Sequence, residues 1–212
     1  MDTDSIMLQK RKRAARMLRV LKRLFPNANG TELIYETPWQ LLVSVILSAQ
    51  CTDKKVNEVT AKLFKKYPDL KDYIRLKQSV LQRIIYSTGF YRMKAKNILA
   101  AALVIKDTFD CMIPRTLSEM LSIPGVARKT ANVVLGNLYG IAEGVVVDTH
   151  VMRLSKLLGL TAHSNPSKIE QDLMLIIPKK DWFQFSNLLV LYGRYICTAR
   201  RHDHSKCLLS LI

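Results

Sequence analysis

Residues 121–150, LSIPGVARKTANVVLGNLYGIAEGVVVDTH, are the stretch whose reading decides the fold. The chain leaves one helix, turns through Pro124-Gly125-Val126-Ala127 and re-enters a helix at Arg128-Lys129. Ala131, Val134, Leu135 and Leu138 then follow the i, i+3, i+4, i+7 spacing of one buried helical face. Lys129 lies about 200° round the helix from Ala131, so its amine leaves the core face and points toward whatever the turn faces. Three valines, Val145 to Val147, lead to Asp148, where another helix begins. One amine and one carboxylate therefore stand at two helix starts. An αα-hairpin of this kind can serve packing alone. Here the short turn carries Gly125, and the N–H groups that open the second helix lack intrahelical partners. Such groups bind an anion, and phosphate is the natural one for a basic protein.

The chain is basic: 33 Lys and Arg stand against 17 Asp and Glu among 212 residues, a formal net charge of +16. That imbalance implies a polyanionic partner, and nucleic acid is expected ahead of an anionic membrane surface. An apolar fraction of 49% is enough for a packed core. The most apolar run, Leu41 to Ala49, is far short of the ~20 residues needed to cross a bilayer, so no membrane association is expected. Lys10 to Arg23 is too charged for a signal-peptide core. With no secretory signal, the four cysteines at 51, 111, 197 and 207 read as free thiols of a reducing compartment. A cytoplasmic protein is expected, nucleoid-associated if bacterial.

Elsewhere the periodicity is also helical. Residues 1–6 read as frayed. Met7 to Phe25 form a basic amphipathic helix with Ala14, Met17, Leu18, Leu21 and Phe25 inward, taken as a docking helix with a solvated basic face. Pro26 to Gly30 break it. Thr37-Pro38 opens a helix that is apolar almost all round to Ser48. Thr52 or Asp53 caps the next, to about Tyr67. Further helices fit 71–75, 77–86, 92–108, a short one after Thr116, and ones opening at Asp148, Asn165-Pro166 and Trp182. No segment alternates with period two for long enough to be a strand, so the fold class is all-α.

Several motifs carry a family resemblance. LSIPGVARKTANVVL (121–135) with VDTH (147–150), TPWQLLVSVILSAQCTDKKVN (37–57), TGFYRMKAKNI (88–98) and LYGRYICTAR (191–200) occur in the order found in the endonuclease III family of DNA glycosylases, a helix-hairpin-helix superfamily. The chain resembles that family over roughly residues 15–207. The resemblance implies two helical domains, 28–138 with the hairpin, and 1–27 plus 139–212, with double-stranded DNA between them and a monomeric protein. It implies a base-excision glycosylase with abasic-site lyase activity on oxidised pyrimidines, acting on a flipped-out nucleotide. Lys129 matches the nucleophile that attacks C1′ and forms a Schiff base. A free lysine amine is mostly protonated at neutral pH, so Arg128, the positive helix start and partial burial are expected to favour the neutral form. Asp148 matches the carboxylate that takes the amine's proton and stabilises the sugar cation. Gln50 matches the residue that enters the space of the flipped nucleotide. Phe90 matches an apolar wedge, with core packing as the bland alternative. Gly125, Val126, Ala127 and Arg128 would contact phosphate, with Arg92, Lys94 and Lys96 as further partners. Ala127 departs from a more usual glycine, at a cost only if its φ is positive. The alternatives are a monofunctional glycosylase of the superfamily and a non-catalytic DNA-binding protein.

The C-terminus departs further. The family usually carries a [4Fe–4S] cluster on Cys-x6-Cys-x2-Cys-x5-Cys; here Cys197 and Cys207 match the first and third cysteines, His204 stands at the second, and the fourth position lies beyond Ile212. The expectation is no cofactor: no cluster, and no zinc at Cys197, His204 and Cys207, because that spacing follows no established pattern even with His202 or Asp203 as fourth ligand. Leu208, Leu209, Leu211 and Ile212 are expected to pack in the space instead.

Overall fold

A computed structural model describes residues 3–28 and 30–211, the side chain of Thr3 aside. Every regular element among the described residues is helical, which makes the fold all-α. The helices are α1 (Thr3–Leu24), α2 (Pro38–Ser48), α3 (Asp53–Lys66), α4 (Leu70–Ile74), α5 (Gln78–Ile85), α6 (Tyr91–Phe109), α7 (Leu117–Leu121), α8 (Arg128–Tyr139), α9 (Thr149–Leu157), α10 (Pro166–Ile176) and α11 (Trp182–Tyr195). None is long and apolar enough to cross a membrane. The expected fraying of residues 1–6 gives way to helix from Thr3, while residues 1 and 2, like Asn29 in the break before Gly30, lie outside the described residues.

The chain forms two compact units. Residues 31–141 make one, built on α2, which is buried from Trp39 to Leu47. Its start is set locally: Thr37 is the extended N-cap whose side chain accepts from Gln40 N, and Pro38 fills the first turn where no N–H is needed. The core around α2 takes Leu63 of α3, Leu81 and Ile85 of α5, Ile98 and Ala102 of α6, and Ala131, Val134 and Leu135 of α8. Trp39 meets Tyr73 edge-on, with ring centroids 5.0 Å apart.

The described residues of 1–30 and 142–212 make the other unit. Its core joins Met17 and Leu21 of α1, Val151 and Leu154 of α9, Ile169 and Leu173 of α10, and Phe185, Leu189 and Tyr192 of α11. Helix α1 docks as expected, but its basic face is not merely solvated. Arg13 Nη1 donates to Leu158 O at 3.2 Å and Arg11 Nε to Leu175 O at 3.1 Å. Both carbonyls lie at helix C-terminal ends, where the backbone leaves acceptors unpaired and the helix dipole favours a cation.

Candidate functional site

The hairpin is built from local bonds. Thr116 caps α7 in a box with Glu119: the Thr116 hydroxyl accepts from Glu119 N, and the Glu119 carboxylate accepts from Thr116 N. After α7, Val126 N donates to Ile123 O at 3.1 Å, closing a turn with Pro124 and Gly125 at its centre. Gly125 has φ +82°, so this is a type II turn and its third position needs glycine. A Cβ there would also come within 2.8 Å of Asn97 Cβ on α6, a contact with no flexible end to yield. Val126 is buried as an anchor, and Gly125, Ala127, Arg128 and Lys129 are exposed. Ala127 is the N-cap of α8 with φ −92°, an extended residue for which alanine carries no penalty. It offers no side-chain acceptor, and the N–H groups of Lys129 and Thr130 in the first turn are left without intrahelical partners.

Lys129 is exposed rather than partly buried as expected, and its amine has no hydrogen-bond or ion-pair partner among the described residues. Asp148 belongs to the other unit and is half-buried. It is the N-cap of α9, with Oδ1 accepting from Val151 N at 2.8 Å. Its other oxygen has no partner among the described residues. One carboxylate thus opens a helix and keeps an oxygen for other use. The position of α9 depends on a residue that sequence reasoning passed over: Gly193 of α11 lies under His150, and a Cβ there would meet the His150 Nδ1 at 2.8 Å. A lone glycine inside a helix was the available signal.

Gln50 and Phe90 are both exposed, Phe90 at 64%, which rules out core packing for the free chain. Both have left-handed backbones, with φ 53° and 45°. Lys94 links the segments that carry them. It is not the exposed phosphate partner that the sequence suggested: it is 4% exposed, and its ammonium donates to Leu47 O at 2.8 Å and Thr88 O at 2.7 Å. Burial holds its pKa below the ordinary lysine value. Arg92 and Lys96 are exposed, and Arg92 lies over the Tyr91 ring, 5.3 Å from its centroid.

The expectation that the chain assembles no cofactor site is overturned at the C-terminus. One ligand atom from each of Cys197, His202, His204 and Cys207 lies within 4.8 Å of all the others. Both thiols are buried, and burial followed by the neighbouring Cys197 thiol pushes the Cys207 thiol up. The expected apolar plug is also corrected. Of its leucines only Leu209 is buried, Leu208 and Leu211 are exposed, and Ile212 lies outside the described residues. Of the two conceivable fourth ligands, His202 and Asp203, the loop brings in His202, whose spacing from Cys207 belongs to no familiar ligand pattern.

This helical fold, with its phosphate-ready hairpin and free amine, matches a family of repair proteins: residues 43–179 fit the model of the HhH-GPD superfamily base excision DNA repair proteins. Endonuclease III of Synechocystis sp. is 49% identical over 204 residues, covering 96% of this chain and 93% of its own. Endonuclease III of Bacillus subtilis is 43% identical over 190 residues, with 89% and 86% covered. Among solved structures, a non-covalent endonuclease III–DNA complex superposes with a TM-score of 0.87 at 39% identity, over 94% of this chain and 92% of that one. A trapped endonuclease III–DNA covalent intermediate, an estranged-adenine complex, gives the same TM-score and identity over 94% and 93%. The chain belongs to the HhH-GPD superfamily and, within it, to the endonuclease III family.

Proposed function

We propose that this chain removes damaged pyrimidines from duplex DNA and cleaves the resulting abasic site through a Schiff base on Lys129. As a member of the endonuclease III family it is a DNA glycosylase and abasic-site lyase whose partner is double-stranded DNA. The observation that carries the residue assignment is the Lys129 amine, exposed and without a partner among the described residues in the first turn of α8, directly after a turn suited to phosphate. The neutral amine attacks C1′ of the damaged nucleotide, and the bond from C1′ to the base breaks. Asp148 accepts the proton that the amine sheds, through the oxygen that does not cap α9. The sugar opens to an imine, a C2′ proton leaves, and the C3′–O bond breaks with the 3′ phosphate as leaving group.

Phosphates on one strand dock on Gly125, Val126, Ala127 and Arg128. Gln50 fills the space of the extruded nucleotide, and Phe90 wedges between bases, which offsets part of the unstacking cost. At the C-terminus the chain keeps two of the family's four cysteine positions, 197 and 207, with His204 at a third. Borohydride trapping on duplex DNA with an abasic site tests the nucleophile. Wild type gives a covalent adduct and Lys129→Ala none; an undiminished adduct in the variant defeats the assignment. Lesion binding without any adduct in folded wild-type protein would favour a non-catalytic reader of damage.

A further inference from the structure

We propose that Cys197, His202, His204 and Cys207 form a structural site for one zinc ion. The proposal stands apart from the catalytic assignment and rests on donor geometry. Cys197 Sγ and His204 Nδ1 are 3.6 Å apart, and His202 Nε2 and Cys207 Sγ are 3.2 Å apart. Zinc holds sulfur at about 2.3 Å and imidazole nitrogen at about 2.0–2.1 Å, so a tetrahedral N···S edge is about 3.5 Å. The first pair already has that separation, and the second opens by a few tenths of an ångström, within reach of small side-chain rotations. All four donors lie within 4.8 Å of one another, the spread of ligands round a single ion.

Iron–sulfur arrangements distribute donors differently. A cubane takes one ligand at each of four irons, which sets the donors apart by the width of the cube and calls for thiolates throughout. A two-iron centre with mixed ligands puts both cysteines on one iron and both histidines on the other. Here each thiol has an imidazole nitrogen within 3.6 Å, closer than ligands of two separate irons would stand. Two thiolates with two neutral imidazoles match the preference of zinc and do not suit oxygen-seeking magnesium or calcium.

The surroundings prepare the donors. His202 Nδ1 is 2.7 Å from Arg200 O. A carbonyl can only accept, so Nδ1 carries the hydrogen and Nε2 presents its lone pair toward Cys207, the usual outer partner of a metal-bound histidine. Asp203, the other conceivable fourth ligand, is occupied: its Oδ1 accepts from Ser205 N at 3.0 Å and Ser205 Oγ at 2.7 Å. That bond shapes the short 3-10 turn at His204–Lys206. Arg153 donates to Cys197 O and places a second guanidinium nitrogen 3.8 Å from Cys197 Sγ, which holds this donor against α9. Leu209 N donates to the Tyr192 hydroxyl at 3.2 Å, so the segment is also closed onto α11 by protein bonds. With the thiols buried and His204 exposed, an ion has a path in from solvent.

The test uses the full chain without a polyhistidine tag, purified under reducing conditions after growth with both zinc and iron. Elemental analysis should find one zinc per chain, X-ray absorption at the zinc edge two sulfur and two nitrogen neighbours, and cobalt exchange the visible bands of a tetrahedral thiolate site. Chelation should lower the Tm of wild type, whereas His202→Ala and Cys207→Ser should hold less than about a tenth of the zinc and show no such response. Circular dichroism of the variants separates loss of metal from loss of fold, and the absorption measurement on wild type needs no variant. Iron with inorganic sulfide and broad visible absorption would overturn the proposal. So would a Cys197–Cys207 disulfide in the reduced preparation, or no uptake of zinc ion by the metal-free chain.

Discussion

Replacing Lys94 with methionine should weaken the 31–141 unit and loosen both side chains proposed to enter DNA. The ammonium makes two bonds to buried residues, at 2.8 Å to Leu47 O and 2.7 Å to Thr88 O. A hydrogen bond from a charged group contributes roughly 1.5–3 kcal/mol, so the gross loss is about 3–6 kcal/mol. Methionine keeps the length and apolar stem while relieving the burial of a charge, which returns part of that sum. A net loss of about 2 kcal/mol remains, or roughly 30-fold in the folding equilibrium. Chemical denaturation measures it. The pH dependence has a definite sign. Because burial lowers the folded-state pKa of Lys94, the unfolded chain binds more protons between that value and the ordinary 10.5. Stability contributed by Lys94 therefore rises with pH across that window, and the gap between wild type and Lys94→Met should widen there. A loss under about 0.5 kcal/mol, or a gap that narrows as pH rises toward 10.5, would refute the account.

Two further substitutions separate folding roles from functional ones. Asp148→Asn retains an acceptor for Val151 N, and asparagine caps a helix about as well as aspartate, so stability should change by less than about 0.5 kcal/mol. Base release should fall by about 100-fold or more in single-turnover assays, since the amide takes no proton; unchanged turnover would leave Asp148 a cap only. Phe90→Gly should raise stability by up to about 1 kcal/mol, because glycine relaxes the φ of 45° and an exposed ring contributes little packing. Its affinity for lesion-bearing duplex should fall about tenfold, and unchanged affinity would argue against a wedge.

The helical frame was legible because its signals are local. Thr37-Pro38, Thr52 and Asn165-Pro166 each stop or start a helix through a side chain that accepts from the following turn, and the structure has all three as caps or first-turn residues. The hairpin was legible for the same reason, since Pro124 and Gly125 leave few turn types open. Lys94 was not. In TGFYRMKAKNI it reads like its exposed neighbours Arg92 and Lys96, and only the tertiary approach of Leu47 O and Thr88 O gives it a reason to be buried. The donor group at the C-terminus failed differently. Cys197, His204 and Cys207 were visible with His202 or Asp203 as a conceivable fourth donor, but that the four converge depends on the loop's path, which no periodicity records. The apolar residues after Cys207 suggested a plug, yet among the described ones only Leu209 is buried.

Backbone strain separates Phe90 from the other left-handed residues. Gln50, Asp110 and Cys111 also have positive φ without being glycine. Each of these follows a helix end, Gln50 after α2 and Asp110 with Cys111 after α6, where a left-handed residue is a common way to stop a helix and satisfy its last carbonyls. The conformation of Gln50 therefore needs no cause beyond the end of α2. Phe90 is at the opposite end, the N-cap of α6, where an extended backbone and a small polar side chain are the norm. It has a large apolar side chain, a left-handed backbone costing about 1–2 kcal/mol, and no burial to offset either. The preceding Gly89, itself at φ +69°, turns the chain out, and the Lys94 bond to Thr88 O fixes where that turn begins. Local folding alone would favour a relaxed, polar residue at 90. Exposure and strain together ask for a contact outside the free chain, and the proposed wedge between bases would account for both the ring's apolar character and its direction.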